Sequence, residues 1–190
     1  MEKIAIIGAP GAGKTTLARK LHRILNIKVL HLDRLFWKPG WQSIDGATRI
    51  GIMQDIIREK QWIIEGTYLN SSEPRLNEAD TIIFFDTPVH VCLSRVIKRH
   101  RKDRGCFRRD IPEGCVDKLT LHRILKLLVF PIQDRKKLKQ KLLTYNSKEF
   151  IWLQSPEEVE DFLMQLELDV YEKRNTSYPE EGRYLVTTRR

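Results

Sequence analysis

The stretch that most constrains this chain lies at its amino terminus, where a glycine-rich turn joins an apolar run to a helical pattern. Ile4–Ile7 has the length and β-branching of a buried strand. The pattern Gly8-x4-Gly13-Lys14-Thr15 follows it. Apolar residues on one helical face come next: Leu17, Ala18, Leu21, Ile24 and Leu25. A strand, a glycine-rich loop and a helix in this order are the context in which a P-loop forms.

The spacing of this loop suits a bound anion. Its glycines allow successive backbone N–H groups to point inward, and the helix start adds free donors and a positive dipole end. Lys14 supplies a mobile charge for the β- and γ-phosphates, and the Thr15 hydroxyl can ligate Mg²⁺. The alternative, a glycine-rich turn with an exposed lysine, explains neither flank. We therefore expect ATP and Mg²⁺ as cofactors, bound by Gly8, Ala9, Pro10, Gly11, Ala12, Gly13, Lys14, Thr15 and Thr16.

Strand and helix patterns alternate along the rest of the chain. Further strands are predicted at 28–32, 62–66, 80–86 and 149–154, and helices at 44–60, 87–101, 116–129, 132–145 and 155–168. Pro131 is expected to separate two of these helices. The alternation predicts an α/β fold with a five-stranded parallel sheet covered on both faces. We expect one domain over residues 1–168 and a loosely held tail over 169–190, in which 185–188 could add a strand.

Composition sets further limits. Hydrophobic residues make up 41% of the chain and charged residues 31%, as in soluble globular proteins. No apolar stretch approaches the roughly 20 residues of a membrane helix. The amino terminus does not resemble a signal peptide, so we expect a cytoplasmic protein with no membrane partner. The net charge of +9 favours binding to polyanions, but it does not show whether the partner is a nucleotide, a nucleic acid or a membrane.

The three cysteines form no disulfide framework. A zinc site formed by Cys106 and Cys115 with His100 and His122 is an alternative. Because no paired C-x-x-C spacing accompanies these residues, two reduced thiols are favoured.

Acidic residues end three of the predicted strands. Ligands of open α/β sheets lie outside the carboxyl ends of the strands. Asp33 is therefore expected to touch the second substrate or to act as base for an attacking hydroxyl. Glu65 is expected to hold Mg²⁺, partly through water, or to position the acceptor. Asp86 could do the same or cap the helix that follows it.

Aromatic residues follow Asp33 in a stretch broken by proline and glycine. They predict an acceptor pocket formed by Asp33, Phe36, Trp37, Trp41 and Gly66. Ordinary core positions explain the two tryptophans equally well.

A basic run extends from Lys98 to Arg109. A solvated helix end explains Lys98 and Lys102. Arginines at 104, 108 and 109 lie in a glycine-containing segment, and phosphoryl transfer needs cations where charge develops. We therefore expect a basic lid over the nucleotide, at roughly residues 102–117, with Arg104 among its catalytic groups.

These features together resemble the adenylate-kinase-like P-loop kinases. The resemblance rests on the P-loop, on Glu65-Gly66, and on Asp86-Thr-Pro88 with Arg95 and Arg99 downstream. It implies a three-layer α/β/α fold like that of nucleoside monophosphate kinases. It also implies that Glu65 lies near Mg²⁺ and that Arg95 and Arg99 face the nucleotide.

A closer resemblance covers residues 1–167. The segments 31–41, 62–68 and 111–115 are similar to those of the bacterial DNA topology modulation proteins, the FlaR-related family. Where adenylate kinases carry Asp-Gly-Phe-Pro-Arg, this chain has Glu65-Gly-Thr-Tyr-Leu69. The arginine that grips the acceptor phosphate is missing, which disfavours adenosine monophosphate as the acceptor.

We therefore expect an ATP- and Mg²⁺-dependent phosphotransferase with Lys14, Asp33, Arg95, Arg99 and Arg104 as catalytic residues. Its acceptor would be a nucleoside, a nucleotide or a hydroxylated metabolite. One alternative is a nucleotide-regulated DNA-binding protein, supported by the net charge and by the basic stretch 135–141. No DNA-reading module is recognisable in the sequence, so nucleic acid is a secondary partner. A simple ATPase is the third possibility.

Overall fold

A computed structural model describes residues 1–102, 110–115, 121–142, 144–145 and 148–176. The strands are β1 (Lys3–Gly8), β2 (Val29–His31), β3 (Trp37–Lys38), β4 (Gln42–Ser43), β5 (Trp62–Glu65), β6 (Thr81–Phe85) and β7 (Glu149–Leu153). The helices are α1 (Lys14–Leu25), α2 (Leu32–Phe36), α3 (Gly46–Ile57), α4 (Glu73–Glu78), α5 (Val89–Lys102), α6 (Leu121–Leu142) and α7 (Pro156–Thr176). No helix in these described ranges is long and apolar enough to cross a bilayer.

Within the described residues, five strands form a parallel sheet in the order β2-β5-β1-β6-β7. This confirms the predicted α/β fold. The strands β5 and β6 are buried along their whole length. Strands covered on both faces read as continuous apolar runs, which explains why their patterns were recognisable in the sequence. Because β1 is central, the glycine-rich loop emerges from the middle of the sheet.

Each face of the sheet has its own apolar core. On one face, Leu17 and Leu21 of α1 pack with Leu163 of α7. On the other, Met53 of α3 packs with Leu138 of α6. The helices therefore form layers above and below the sheet.

The segment after β2 differs from the prediction. The strand ends at His31, and Asp33 lies in the short helix α2 rather than at a strand end. The next residues form an antiparallel hairpin, in which Trp37 pairs with Ser43 and Lys38 with Gln42. Two-residue strands give no periodic signal in a sequence, so this hairpin was not predicted.

Helix α6 runs through Pro131, so the predicted break into two helices is wrong. A proline removes one helical hydrogen bond and crowds the preceding turn. Buried leucines on both sides of it, Leu127 and Leu138, hold the two halves of the helix against the core. Tertiary packing here outweighs local propensity.

Helix α7 continues to Thr176, so the expected loose tail from residue 169 is also wrong in its first eight residues. The predicted start is confirmed, because the backbone N–H of Glu158 donates to Ser155 Oγ at 3.3 Å. The predicted strand at 185–188 lies outside the described residues.

Asp86 follows β6 and ties α6 to the sheet. Its Oδ1 accepts from Arg135 Nε, and its Oδ2 accepts from Arg135 Nη2 at 2.7 Å and lies 3.0 Å from Lys139 Nζ. The carboxylate side chain is 3% exposed. The structure shows that Asp86 anchors α6. The expected roles of holding Mg²⁺, positioning the acceptor or capping the next helix stay predictions.

We expect Asp86→Asn to lower the free energy of unfolding by about 1–3 kcal/mol at pH 7. Burial opposes ionisation of Asp86, but bonds from Arg135 and Lys139 outweigh it and hold the pKa below its ordinary value. The stabilisation is therefore complete above the pKa of the unfolded chain and is lost as pH falls through the lowered pKa. Denaturant unfolding of both proteins between pH 2 and 7 measures the difference.

The exposed Asp161→Asn on α7 is the matched control and should change little at any pH. A stability gap between wild type and Asp86→Asn that stays constant down to pH 2 would contradict the ion-pair interpretation.

Candidate active site at the carboxyl ends of the strands

A cleft of about 2200 Å³ opens where the parallel strands end. It is lined by the glycine-rich loop after β1, by α1, α3 and α5, and by the segments that follow β5 and β7. The predicted residues that line it are Pro10, Gly11, Ala12, Gly13, Lys14, Thr15, Thr16, Asp33, Trp37, Trp41, Glu65, Gly66, Arg95 and Arg99. The fold thus brings the predicted nucleotide and acceptor residues into one cavity.

Two glycines of the loop are required because a side chain would clash with neighbouring atoms and because their φ angles are positive. Gly8 has φ 148°, and a Cβ there would lie 2.7 Å from Phe85 Cβ. Gly11 has φ 81°, and a Cβ there would lie 2.6 Å from the Cys92 carbonyl oxygen. Real Cβ atoms do not approach backbone so closely, so the loop can follow this path only with glycine at both positions.

Lys14 lies inside the loop. Its Nζ donates to the carbonyl oxygens of Gly8 and Ala9, each at 2.9 Å. Burial lowers the pKa of Lys14, and the nearby carboxylates of Glu65 and Asp33 oppose that shift. The amino group of Lys14 therefore lies inside the glycine-rich loop, where burial dominates its pKa although two carboxylates oppose the shift.

Thr15 and Glu65 meet at the base of the cleft. The Thr15 hydroxyl donates to Glu65 Oε1 at 3.1 Å, and the Glu65 residue is 6% exposed. A hydroxyl and a buried carboxylate side by side supply the oxygen ligands that Mg²⁺ prefers. The two residues predicted to hold Mg²⁺ thus fit that ion.

His31 is a neighbour of this pair that sequence reasoning missed. Its Nδ1 lies 2.9 Å from Glu65 Oε1. Because β2 and β5 are paired with His31 opposite Glu65, the two side chains project from adjacent strand ends. The position of His31, two residues before Asp33, is the sequence signal that could have marked it as a site residue.

Asp33 is exposed to the cleft and bonded to Tyr68. The Tyr68 hydroxyl donates to Asp33 Oδ1 at 2.6 Å, and it accepts from Trp37 Nε1 at 2.7 Å. Burial and the adjacent Asp33 charge raise the pKa of Tyr68 far above its ordinary value. The phenol therefore stays protonated and remains a donor to Asp33.

The loop that carries Tyr68 is held by a buried arginine. Arg75 is 1% exposed, and its guanidinium donates to the carbonyl oxygens of Gly66, Thr67 and Ser71. Burial lowers the pKa of Arg75 to about 10, so it remains charged at neutral pH. Neither Tyr68 nor Arg75 had been singled out, because their partners are distant in sequence or are backbone atoms.

The aromatic residues divide between wall and core. Trp37 and Trp41 line the cleft, with ring centroids 5.8 Å apart in an edge-to-face arrangement. Phe36 is 0% exposed and packs edge-on against Tyr68. The prediction that Phe36 walls the pocket is therefore wrong, since it lies on the inward face of α2.

Arg95 and Arg99 lie four residues apart on α5, on one helical face, and both line the cleft. Arg95 Nη1 donates to the Ala12 carbonyl oxygen at 2.9 Å. Arg104 and most of the expected lid lie outside the described residues.

Cys106, which was weighed as a zinc ligand, also lies outside the described residues. Cys115 is buried, and its thiol donates to the Lys38 carbonyl oxygen at 3.4 Å. In the part of the chain that the structure describes, no group of three or more His, Cys, Asp or Glu side chains could hold a metal ion.

Comparisons with known proteins point to the same fold. A family model described as an AAA domain matches residues 3–93, just under half of the chain, which include the P-loop, Asp33 and Glu65. No curated protein matches significantly.

Solved structures match almost the whole chain. Shikimate kinase from Acinetobacter baumannii in complex with shikimate has a TM-score of 0.56 and 16% identity, over 91% of this chain and 95% of that one. Shikimate kinase from Bacteroides thetaiotaomicron has a TM-score of 0.50 and 18% identity, over 88% and 97%. The chain therefore has a kinase-like P-loop fold. The closer resemblance to DNA topology modulation proteins remains a prediction.

Proposed function

We propose that this protein is an ATP- and Mg²⁺-dependent phosphotransferase whose acceptor is a hydroxyl group of a small molecule. The observation that carries the proposal is the arrangement of one cleft. The P-loop with Lys14 and the Thr15–Glu65 pair lie in it, and Asp33 faces the same space.

The nucleotide half of the site would bind the phosphates of ATP. Backbone N–H groups of the loop and the start of α1 would contact the phosphate oxygens, and Lys14 would contact the γ-phosphate. Thr15 and Glu65 would hold Mg²⁺, which neutralises charge on the phosphates when bound. Arg95 and Arg99 would stabilise the charge that develops during transfer.

The acceptor half is defined by a carboxylate. Because Tyr68 donates a hydrogen bond to Oδ1 of Asp33, this carboxyl group is held in one orientation at the edge of the cleft. A carboxylate repels a phosphate acceptor, whereas it attracts the proton of an alcohol. Trp37 and Trp41 would pack against a ring or apolar face of the acceptor, and Arg49 in the same cleft offers a charge for an anionic substituent.

The transfer balances without another reactant. The acceptor oxygen bonds to the γ-phosphorus as the bond to the β–γ bridging oxygen breaks, and ADP leaves. The hydroxyl proton passes to Asp33, which later releases it to water. Catalysis is mostly positioning and electrostatics, as for other phosphoryl transfers.

We also propose that residues 1–168 act as one domain. Within it, the segment at roughly 102–117 would close over the nucleotide. The ion pair between Arg19 on α1 and buried Asp110, 3.2 Å between Nη2 and Oδ1, supports the second proposal. This ion pair connects Asp110, near the middle of that segment, to helix α1, which follows the P-loop.

The identity of the product tests the proposal. The protein would be incubated with Mg·ATP and single members of a panel of nucleosides, sugars and shikimate-like alcohols, and followed by ³¹P NMR. We expect a new phosphate-ester signal with one class of alcohol, and about a 100-fold slower appearance with Asp33→Asn. Only inorganic phosphate from every compound would contradict the kinase proposal and support a simple ATPase. A hydrolysis rate changed only by DNA would support the nucleic-acid alternative instead.

A further inference from the structure

The Tyr68 hydroxyl links the acceptor wall to Asp33. It lies 2.7 Å from Trp37 Nε1 on the hairpin and 2.6 Å from Asp33 Oδ1 on α2. The continuous stretch formed by α2 and β3 therefore meets the loop after β5 at one oxygen atom.

The direction of both hydrogen bonds is fixed by chemistry. An indole nitrogen only donates, so the Tyr68 oxygen must accept from Trp37. The phenol has a single proton, and the remaining partner is a carboxylate oxygen. That proton must therefore go to Asp33 Oδ1, which accepts it.

The backbone conformation of Tyr68 is also unusual. Its φ of 29° and ψ of 61° lie in a region that residues with a side chain seldom occupy. The conformation is held because Arg75 binds the carbonyls of the two preceding residues and Ser71 N donates to the Tyr68 carbonyl at 3.0 Å. Strained residues fixed in this way concentrate at functional sites.

We propose that Tyr68 is a positioning residue that orients Asp33 for the acceptor hydroxyl. By occupying Oδ1, it leaves Oδ2 to receive the acceptor proton. Through Trp37 it also couples the position of the aromatic wall to the position of the carboxylate. This inference rests on the proposed phosphotransferase function, and it assigns a role that the expected catalytic residues do not include.

Steady-state ATP turnover with water as the acceptor tests the kinetic role, since it needs no identified substrate. We expect Tyr68→Phe to lower kcat about 10-fold, the value of one hydrogen bond to a charged group, with KM for ATP within about twofold of wild type. The double variant Tyr68→Phe/Asp33→Asn should be no slower than Asp33→Asn alone, because Tyr68 acts through Asp33. Tyr171→Phe, at an exposed position on α7, is the matched control and should match wild type.

A purely structural role predicts a different pattern. If Tyr68 were purely structural, Tyr68→Phe would raise KM for ATP as well as lower kcat. Alternatively, adding Tyr68→Phe to Asp33→Asn would slow that variant by a further 10-fold. Either result would overturn the inference.

An activity-independent measurement separates this inference from the proposed function. The chain has four tryptophans, and Trp37→Phe identifies the indole N–H signal of Trp37 in a ¹H–¹⁵N spectrum. That signal should shift in Tyr68→Phe and, through the shared hydroxyl, in Asp33→Asn. An unchanged signal in both variants would overturn the network itself. A wild-type protein that binds Mg·ATP but phosphorylates no alcohol of the panel would instead contradict the phosphotransferase function and with it the kinetic role of Tyr68.

Discussion

For the proposed phosphotransferase, we expect Lys14→Ala to lower ATP turnover by about 10³-fold or more, since charge neutralisation at the transferred phosphoryl group is the main catalytic effect in such reactions. In the structure, the Lys14 ammonium is held inside the loop by two backbone carbonyls. Arg95 donates to a different carbonyl of the loop, that of Ala12, from helix α5, so it should not substitute. Turnover at saturating Mg·ATP, with thermal unfolding recorded beside it, measures the effect.

Lys136→Ala, at an exposed position on α6, removes the same charge away from the cleft and should keep wild-type turnover. A Lys14→Ala variant that unfolds normally yet retains more than a tenth of the turnover would show that the loop does not hold the reacting phosphate.

Replacing Arg75 by alanine will lower the free energy of unfolding by about 3–5 kcal/mol, because the buried carbonyl of Gly66 and the half-buried carbonyls of Thr67 and Ser71 lose their donor. For a chain of this length the melting temperature should fall by about 10 °C. The same change frees the loop that carries Tyr68, so turnover of the remaining folded protein should fall as well. Calorimetry and turnover below the transition measure the two effects.

Arg174→Ala, at the exposed end of α7, is the control for loss of an arginine and should change stability by less than about 0.5 kcal/mol. If Arg75→Ala had the same melting temperature as wild type, the buried guanidinium would not be holding the loop.

The parts of the fold that were predictable have local signals. The first strand, the glycine spacing and Lys14 follow one another in the chain, so their geometry is encoded within a few residues. The strands β5 and β6 were recognisable because burial on both faces requires continuous apolar runs. Glu65 was found because strand ends in a parallel sheet share one edge. Asp33 was assigned to such an end as well, and it still lines the cleft because α2 follows β2 directly.

The parts that were missed depend on contacts between distant segments. Tyr68 meets Asp33 across 35 residues, and the partners of Arg75 are backbone oxygens, which no side-chain pattern reveals. Pro131 was assigned as a helix break by its local preference, yet packing of leucines on either side carries α6 through it. Phe36 was grouped with its aromatic neighbours in sequence, although the turn of α2 directs it into the core.

The central claim is that a hydroxyl acceptor placed at Asp33 receives the phosphoryl group of a nucleotide held at the P-loop. The most direct test is the rate of ADP release at saturating Mg·ATP, with and without each alcohol of the panel, for wild type and Asp33→Asn. We predict that one class of alcohol raises the wild-type rate at least about tenfold above water, and that Asp33→Asn loses this stimulation while its KM for ATP stays within about twofold. Equal stimulation of both proteins would contradict the claim, because the acceptor would then bind without Asp33.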